Sequence, residues 1–473
     1  MPPKLALFVC LLFVMFVFWS DRKRNVQVSW ALFYSLLWYV VVASRPIGAW
    51  LSIWGVSLPI SVDPTEGSVV DKWFYGIIAL IGIFILSRRQ INWASIIREN
   101  AWLIMLFSFI AISILWSDYP LVSFKRIVKL IGATIMALVV LTELNPLEAI
   151  AAILRRCAYI VIPFSIVTIR YFRDIGIDWD WSGDAVSWVG IATSKNVLGQ
   201  VAVTGALCFI WERIRRRDSK EGKMIDYLYI MMSLYLLKGS DDALSMTSIS
   251  VFAVGLFVFL MLSSMKSRME RVKPFFVLSC VFIFGILLMF ILHTLNPFSK
   301  NSLMGVIIGT MGRDMTLTGR TEIWSDIFKI ASRNPMLGVG YGSFWIGRLA
   351  NIPWAENMRW ILGQGHNGYV DAYLQLGWVG IILLMAVILS IGSKIIRSFS
   401  IDFEYGRFRI TFFLIILFVN ITESTFLKGD HNMWFLFLLA AFAVPYSDDK
   451  IATKEDKDGP LPLVNMCINT VCR

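Results

Sequence analysis

Leu5-Ala6-Leu7-Phe8-Val9-Cys10-Leu11-Leu12-Phe13-Val14-Met15-Phe16-Val17-Phe18-Trp19 is an unbroken apolar run, and Ser20-Asp21-Arg22-Lys23-Arg24 follows it directly. No small-residue cleavage pattern separates the two, so the run reads as a retained membrane anchor rather than a secretory signal. The same alternation of apolar run and short charged break recurs along the chain. Candidate spans lie near 5–19, 28–44, 73–87, 101–117, 127–142, 157–169, 197–211, 225–237, 247–263, 275–292, 374–392, 410–421 and 433–445. The expected fold is an all-α polytopic membrane protein of about 12–13 transmembrane helices. Several runs are shorter than the ~20 residues a crossing helix needs, so they borrow a turn from their flanks. Ile47 to Ile60 reads as a re-entrant or interfacial segment.

Composition supports this reading. The 473 residues are 57% hydrophobic and 16% charged, where soluble domains carry ~25% charge. The formal net charge of +11 fits basic residues gathered in cytoplasmic loops. No basic, aromatic-interleaved soluble domain is present to bind nucleic acid. The cysteines (10, 157, 208, 280, 467, 472) show no zinc or disulfide spacing. His293, His366 and His431 are too scattered for a histidine-based metal site, so no metal or cofactor is expected.

Arg22-Lys23-Arg24, the Arg88, Arg89 and Arg98 group, Arg213 to Arg217, the Lys266 to Lys273 group, and Lys394, Arg397, Arg407 and Arg409 all fall on one side of the span list. That side is expected to be cytoplasmic. The chain then divides into an N-terminal transmembrane bundle (1–292), a large extracytoplasmic loop (293–371), C-terminal transmembrane helices (372–446) and a polar cytoplasmic tail (447–473). In the large loop, Ile323, Ile327 and Ile330 recur at helical spacing beside Trp324 and Phe328. Thr318 or Gly319 can cap this helix, Glu322 suits its first turn, and Asn334-Pro335 ends it. The expectation is an amphipathic helix near the membrane surface. A glycine-rich turn, Gly338 to Gly342, follows, and the loop closes on His366-Asn367-Gly368-Tyr369.

Four outer stretches carry chemistry. Arg320 in the first turn of the loop helix combines a guanidinium fork with helix-terminal amides, a match for diphosphate oxygens. His366, at the junction of loop and membrane, can exchange a proton near neutral pH and act as general base on a sugar hydroxyl. Lys195, in Thr193-Ser194-Lys195-Asn196, can neutralise a phosphate as a point charge. Lys125, Arg126 and Lys129, after Trp116-Ser117-Asp118-Tyr119-Pro120, share one helical face.

Together, Thr318 to Trp324, Asn334-Pro335-Met336-Leu337-Gly338-Val339-Gly340 and His366-Asn367-Gly368-Tyr369 resemble the signature of the O-antigen ligase/polymerase superfamily. Ser194-Lys195-Asn196-x-Leu198-Gly199 and Trp116-Ser117-Asp118-x-Pro120 resemble the branch of ExoQ-type exopolysaccharide production proteins. The resemblance covers about residues 110 to 390. It implies metal-independent transfer of a glycan from undecaprenyl diphosphate to an acceptor hydroxyl at the periplasmic face of a bacterial inner membrane. Arg320 and His366 match the catalytic positions. Lys195, Asn196, Lys125, Arg126, Glu322, Trp324, Asn367 and Lys238 are the candidate substrate contacts. The implied partners are the lipid-linked oligosaccharide, an acceptor glycan or lipid A–core, membrane lipids and a chain-length regulator protein.

One position departs from the pattern. Where many relatives carry a second Arg or Lys in a short outer loop, the nearest match is Ser245-Met246-Thr247-Ser248, and Met246 cannot bind phosphate. The missing charge is then expected from Lys195 or Lys238, or from a different mode of holding the donor. The branch motifs favour a polymerase over a ligase. A lipid-linked sugar flippase is the alternative from another class. It would bury charges along a path through the spans, which read as nearly free of them.

Overall fold

The computed structural model describes residues 1–24, 28–56, 67–179, 186–216, 222–240, 245–265, 320–346 and 363–444. The expected span 275–292, the first part of the large loop and the tail lie outside these residues. The described chain is almost wholly helical, as expected for a polytopic membrane protein. Six of its helices are long and apolar enough to cross a membrane, or eight if each of two bent pairs counts as one span.

The helices, in chain order, are α1 (Pro3–Asp21), α2 (Leu32–Ala43), α3 (Ile47–Ile53), α4 (Val69–Ser87), α5 (Trp93–Glu99), α6 (Ala101–Ile112), α7 (Pro120–Leu141), α8 (Pro146–Tyr171), the single turn α9 (Arg173–Gly176), α10 (Lys195–Arg215), α11 (Lys223–Lys238), α12 (Met246–Met265), α13 (Arg320–Ala331), α14 (Gly368–Ile401), α15 (Phe403–Thr422) and α16 (Asn432–Ala441). Between α9 and α10 a hairpin pairs β1 (Ile177–Trp179) with β2 (Val186–Trp188), with Asp178 opposite Ser187. α8, α10, α15 and α16 form the buried centre, where Ile153, Phe209, Ile416 and Phe435 are almost fully enclosed. α1 and α4 turn large apolar side chains such as Phe8, Phe16, Leu80 and Phe84 outward, as helices facing lipid do. α3 leaves α2 at a bend of 62°. Asp71 holds this bend by accepting from the Gly48 amide at 3.0 Å while closing a capping box with Ser68. Of the segment Ile47 to Ile60, read as re-entrant or interfacial, residues 57–60 lie outside the described residues.

The described basic clusters gather at one end, where Arg24 meets Glu212 and Asp226, Arg215 meets Glu148, and Trp211 and Arg407 share Glu404; the Lys266 to Lys273 group lies outside the described residues. There, however, the helices bury more charge than the expected spans admitted. Arg155 is fully buried in α8 and donates to Asp21 at 2.8 Å and Glu212 at 2.9 Å. Arg156 also reaches Asp21, and Arg24 pairs with Asp226. The expected span 157–169 was too short, because α8 begins at Pro146 and carries Arg155 inward with it. These charges join α1, α8, α10 and α11 in one closed network and trace no path along a span. Arg155→Met leaves Asp21 and Glu212 without the guanidinium they share, a loss of about 3–5 kcal/mol for a broken buried pair. Thermal unfolding in detergent should show a clearly lower midpoint. An unchanged midpoint would mean that the network adds nothing to stability.

α14 is broken at Gly377, where φ is 62° and ψ is −162°. The break leaves amides and carbonyls without helical partners, and the Asn334 to Gly340 segment supplies them. Trp378 and Val379 donate to the carbonyls of Pro335 and Met336, while Val339 and Gly340 donate to those of Leu374 and Gln375. The glycine-rich turn is therefore the backbone complement of a broken helix. Gly338, at φ 65°, lies directly on the Gln375 peptide.

Candidate active site

The end opposite the basic clusters carries the starts of α7, α10, α14 and α16 and the close of α15. The Gly338 to Gly342 turn organises it. Trp116 donates to the Leu337 carbonyl, Tyr341 N–H donates to Ser113 Oγ, and Arg126 donates to the Gly342 carbonyl at 2.6 Å. The Trp116 to Pro120 stretch thus docks on the turn, and Arg126 is anchored to it.

α13 forms where the isoleucine spacing places it. Ile327 is fully buried against Phe344, Trp345 and Leu374. Trp324 donates its indole N–H to the Gly365 carbonyl at 2.8 Å, so the helix sits beside the residue preceding His366. Arg320 opens α13 one turn before Trp324 and on the same face. The side chains of Arg320 and Glu322 lie outside the described residues, as do the capping candidates Thr318 and Gly319.

His366 occupies a left-handed backbone conformation, φ 50°, uncommon for a residue with a Cβ and often found at functional sites. Its neighbours fix it there. Asn367 caps α14 by accepting from the amides of Tyr369 and Val370, and donates to the Ile421 carbonyl. Asp371 accepts from the Gly365 amide and the Trp345 indole. The His366 side chain is 21% exposed, and its Nδ1 lies 3.6 Å from Glu423 Oε2. Asn196 Nδ2 donates to the other Glu423 oxygen at 2.7 Å. Lys428 donates to Gln364 Oε1 at 2.8 Å, and the amide of Gln364 lies 3.5 Å from the same His366 Nδ1. Desolvation pushes the Lys428 ammonium below the ordinary lysine range, though Asp371 and Asp430 pull it back up.

The structure thus brings together His366, Asn367, Trp324 and Asn196 from the sequence reading. Arg126 belongs to the same face through the Gly342 turn. Lys195 begins α10 beside Asn196, Lys125 shares the first turns of α7 with Arg126, and Lys238 ends α11 with its side chain exposed. None of these last three meets His366 in a described contact. The Ser245 to Ser248 stretch does border the site. Thr247 and Ser248 line a small cleft with Asn196, Gln200 and Glu423.

Sequence reasoning missed Glu423, Gln364, Lys428, Asp430 and His431. Four of these sit in one short polar connection, Glu423 to His431, between the last two spans, and that concentration of charge was the available signal. Among the described residues no group of His, Cys, Asp and Glu is placed to hold a metal ion. Asp178-Trp179-Asp180 does form an Asp-x-Asp in the hairpin region, but Asp180 lies outside the described residues.

These helices define a multi-pass membrane protein, and Asn196, Gln364, His366, Glu423 and Lys428 meet at one end of it. Residues 232–385 match the model of the O-antigen ligase family. The chain is also 24% identical over 339 residues to the exopolysaccharide production protein ExoQ of Rhizobium meliloti (strain 1021), a match covering 68% of this chain and 71% of that protein. Both findings bear out the resemblance carried by the loop motifs.

Proposed function

We propose that the protein polymerises oligosaccharide units carried on undecaprenyl diphosphate into exopolysaccharide or O-antigen, at the periplasmic face of a bacterial inner membrane. The observation that carries this reading is the His366–Glu423 pair, fixed at the loop end of the bundle beneath a helix that opens with Arg320. The Glu423 carboxylate, held by Asn196, faces Nδ1 of His366 at 3.6 Å and favours the proton on that nitrogen, which leaves Nε2 as the base. The neutral amide of Gln364 competes for the same nitrogen, and the carboxylate is the stronger partner for an imidazole gaining charge. Nε2 takes the proton of the acceptor hydroxyl as its oxygen bonds to C1 of the donor sugar. The bond from C1 to the diphosphate oxygen breaks, and the leaving diphosphate carries the charge away. Arg320 stabilises that charge, as fixed positive groups do in a partly dehydrated site. Lys428, two bonded contacts from His366, supplies the second positive charge that Met246 cannot give. This reading does without Lys195 and Lys238 in that role.

The test is the size profile of lipid-linked and surface glycan in cells lacking the protein. Single repeat units alone, restored to long chains by the wild-type chain, support polymerisation. Long chains that form but stay on the carrier would replace it with a ligase acting on lipid A–core. Unaffected glycan would overturn both.

A further inference from the structure

A second cavity lies behind the start of α10. Asn196 and Met433 line the cleft at Glu423, while their neighbours Val197 and His431 line a separate cavity of about 150 Å³. Ser44, Asp71, Tyr75, Lys129 and Asp430 complete its polar wall, and Val41, Val42 and Pro46 its apolar one.

Its chemistry differs from that of the His366 site. Lys129 pairs with Asp430 at 2.9 Å and lies over the Tyr75 ring. Asp71 adds a second carboxylate. His431 Nδ1 accepts from the Met433 amide, which starts α16, so the ring proton sits on Nε2, the nitrogen left to donate. Burial and the Lys428 charge push this imidazole down to about 3, and it is neutral at physiological pH. Against the desolvation that would raise it, Lys129 and Arg126 hold the Asp430 carboxyl below the usual range. Arg126 and Lys428 act on Asp430 and His431 from outside the lining. The lining itself carries one cation, two carboxylates and a neutral imidazole. That set repels a phosphate or a uronic acid and suits the hydroxyls of an uncharged sugar, with donors and acceptors side by side over an apolar floor.

We infer that this cavity is a saccharide subsite, binding an uncharged sugar of the acceptor glycan one or more residues from the hydroxyl that reacts. The inference rests on the proposed polymerase reading, which requires two glycans at one catalytic centre. The Ser194 to Val197 segment is then the wall between the reacting hydroxyl and the sugars behind it.

The probe is the repeat-unit oligosaccharide released by mild acid from the carrier lipid of cells lacking the protein. Thr193, exposed at the cavity rim, is changed to cysteine in the full chain (T193C), and its labelling by a membrane-impermeant maleimide is followed in membranes. The oligosaccharide is expected to slow labelling at least fivefold, and inorganic pyrophosphate to leave it unchanged. In polymerisation assays Asp430→Asn and His431→Gln are expected to raise KM for the lipid-linked unit about tenfold, with the loss falling on KM rather than kcat. No protection by the oligosaccharide, protection by pyrophosphate alone, or a loss confined to kcat would each overturn the subsite. His366→Ala separates the two ideas. If it is inactive while the cavity variants match wild type, only the subsite fails; if it polymerises normally, the catalytic reading fails first.

Discussion

His366→Ala is expected to lower the rate of polymer formation by about 10²–10⁴-fold, the usual worth of a positioned general base, at wild-type protein levels in the membrane. The side chain is partly exposed, and the hydrogen bonds that fix the turn come from Asn367 and Asp371. Histidine enters the left-handed region at φ 50° more readily than alanine, so the thermal midpoint is read beside the rate, and an unchanged midpoint assigns the loss to chemistry. Glu423→Gln should fall between wild type and His366→Ala. It keeps a group for Asn196 but removes the negative charge facing Nδ1 at 3.6 Å. Because Glu423 acts only through His366, the double variant should be no worse than His366→Ala alone. Rate losses that multiply would show that Glu423 works independently of the histidine.

Gly377→Ala is expected to remove most of the folded protein. At φ 62° and ψ −162° the backbone occupies a region open essentially to glycine alone. A Cβ there would also run into the Met336 peptide. Strain of about 1–3 kcal/mol would add to the loss of the hydrogen bonds that the 335–340 segment gives to α14. Gly392, in the same helix with open space around its Cα, is the control. Alanine there should be neutral or stabilise by about 0.5–1 kcal/mol. The comparison is read by size-exclusion profile and thermal midpoint in detergent. Equal behaviour of the two variants would mean that the break is not needed.

Local chemistry made part of this molecule legible in advance. Apolar runs between basic breaks identify crossing helices because a bilayer tolerates little else. Ile323, Ile327 and Ile330 marked α13 because one side of a surface helix must be apolar, and Ile327 is the residue it buries. His366 and Asn367 stood out by type and by place at a loop boundary. Glu423 did not, since its partners Asn196 and His366 are distant in sequence and no periodicity links them. The network of Asp21, Arg155 and Glu212 was hidden for the same reason, compounded by a span drawn too short to include Arg155. The break at Gly377 was invisible inside an apolar run, where a glycine reads as a tolerated helix residue.

The interlock between the Asn334 to Gly340 turn and the broken α14 also bears on how such a chain is made and inherited. The turn is synthesised first, yet the first third of α14 gains its last backbone partners only when turn and helix meet. Helix and loop therefore mature as a single unit, and neither is a free-standing module. Over generations, the closing segment of the loop would have to travel with the helix it completes.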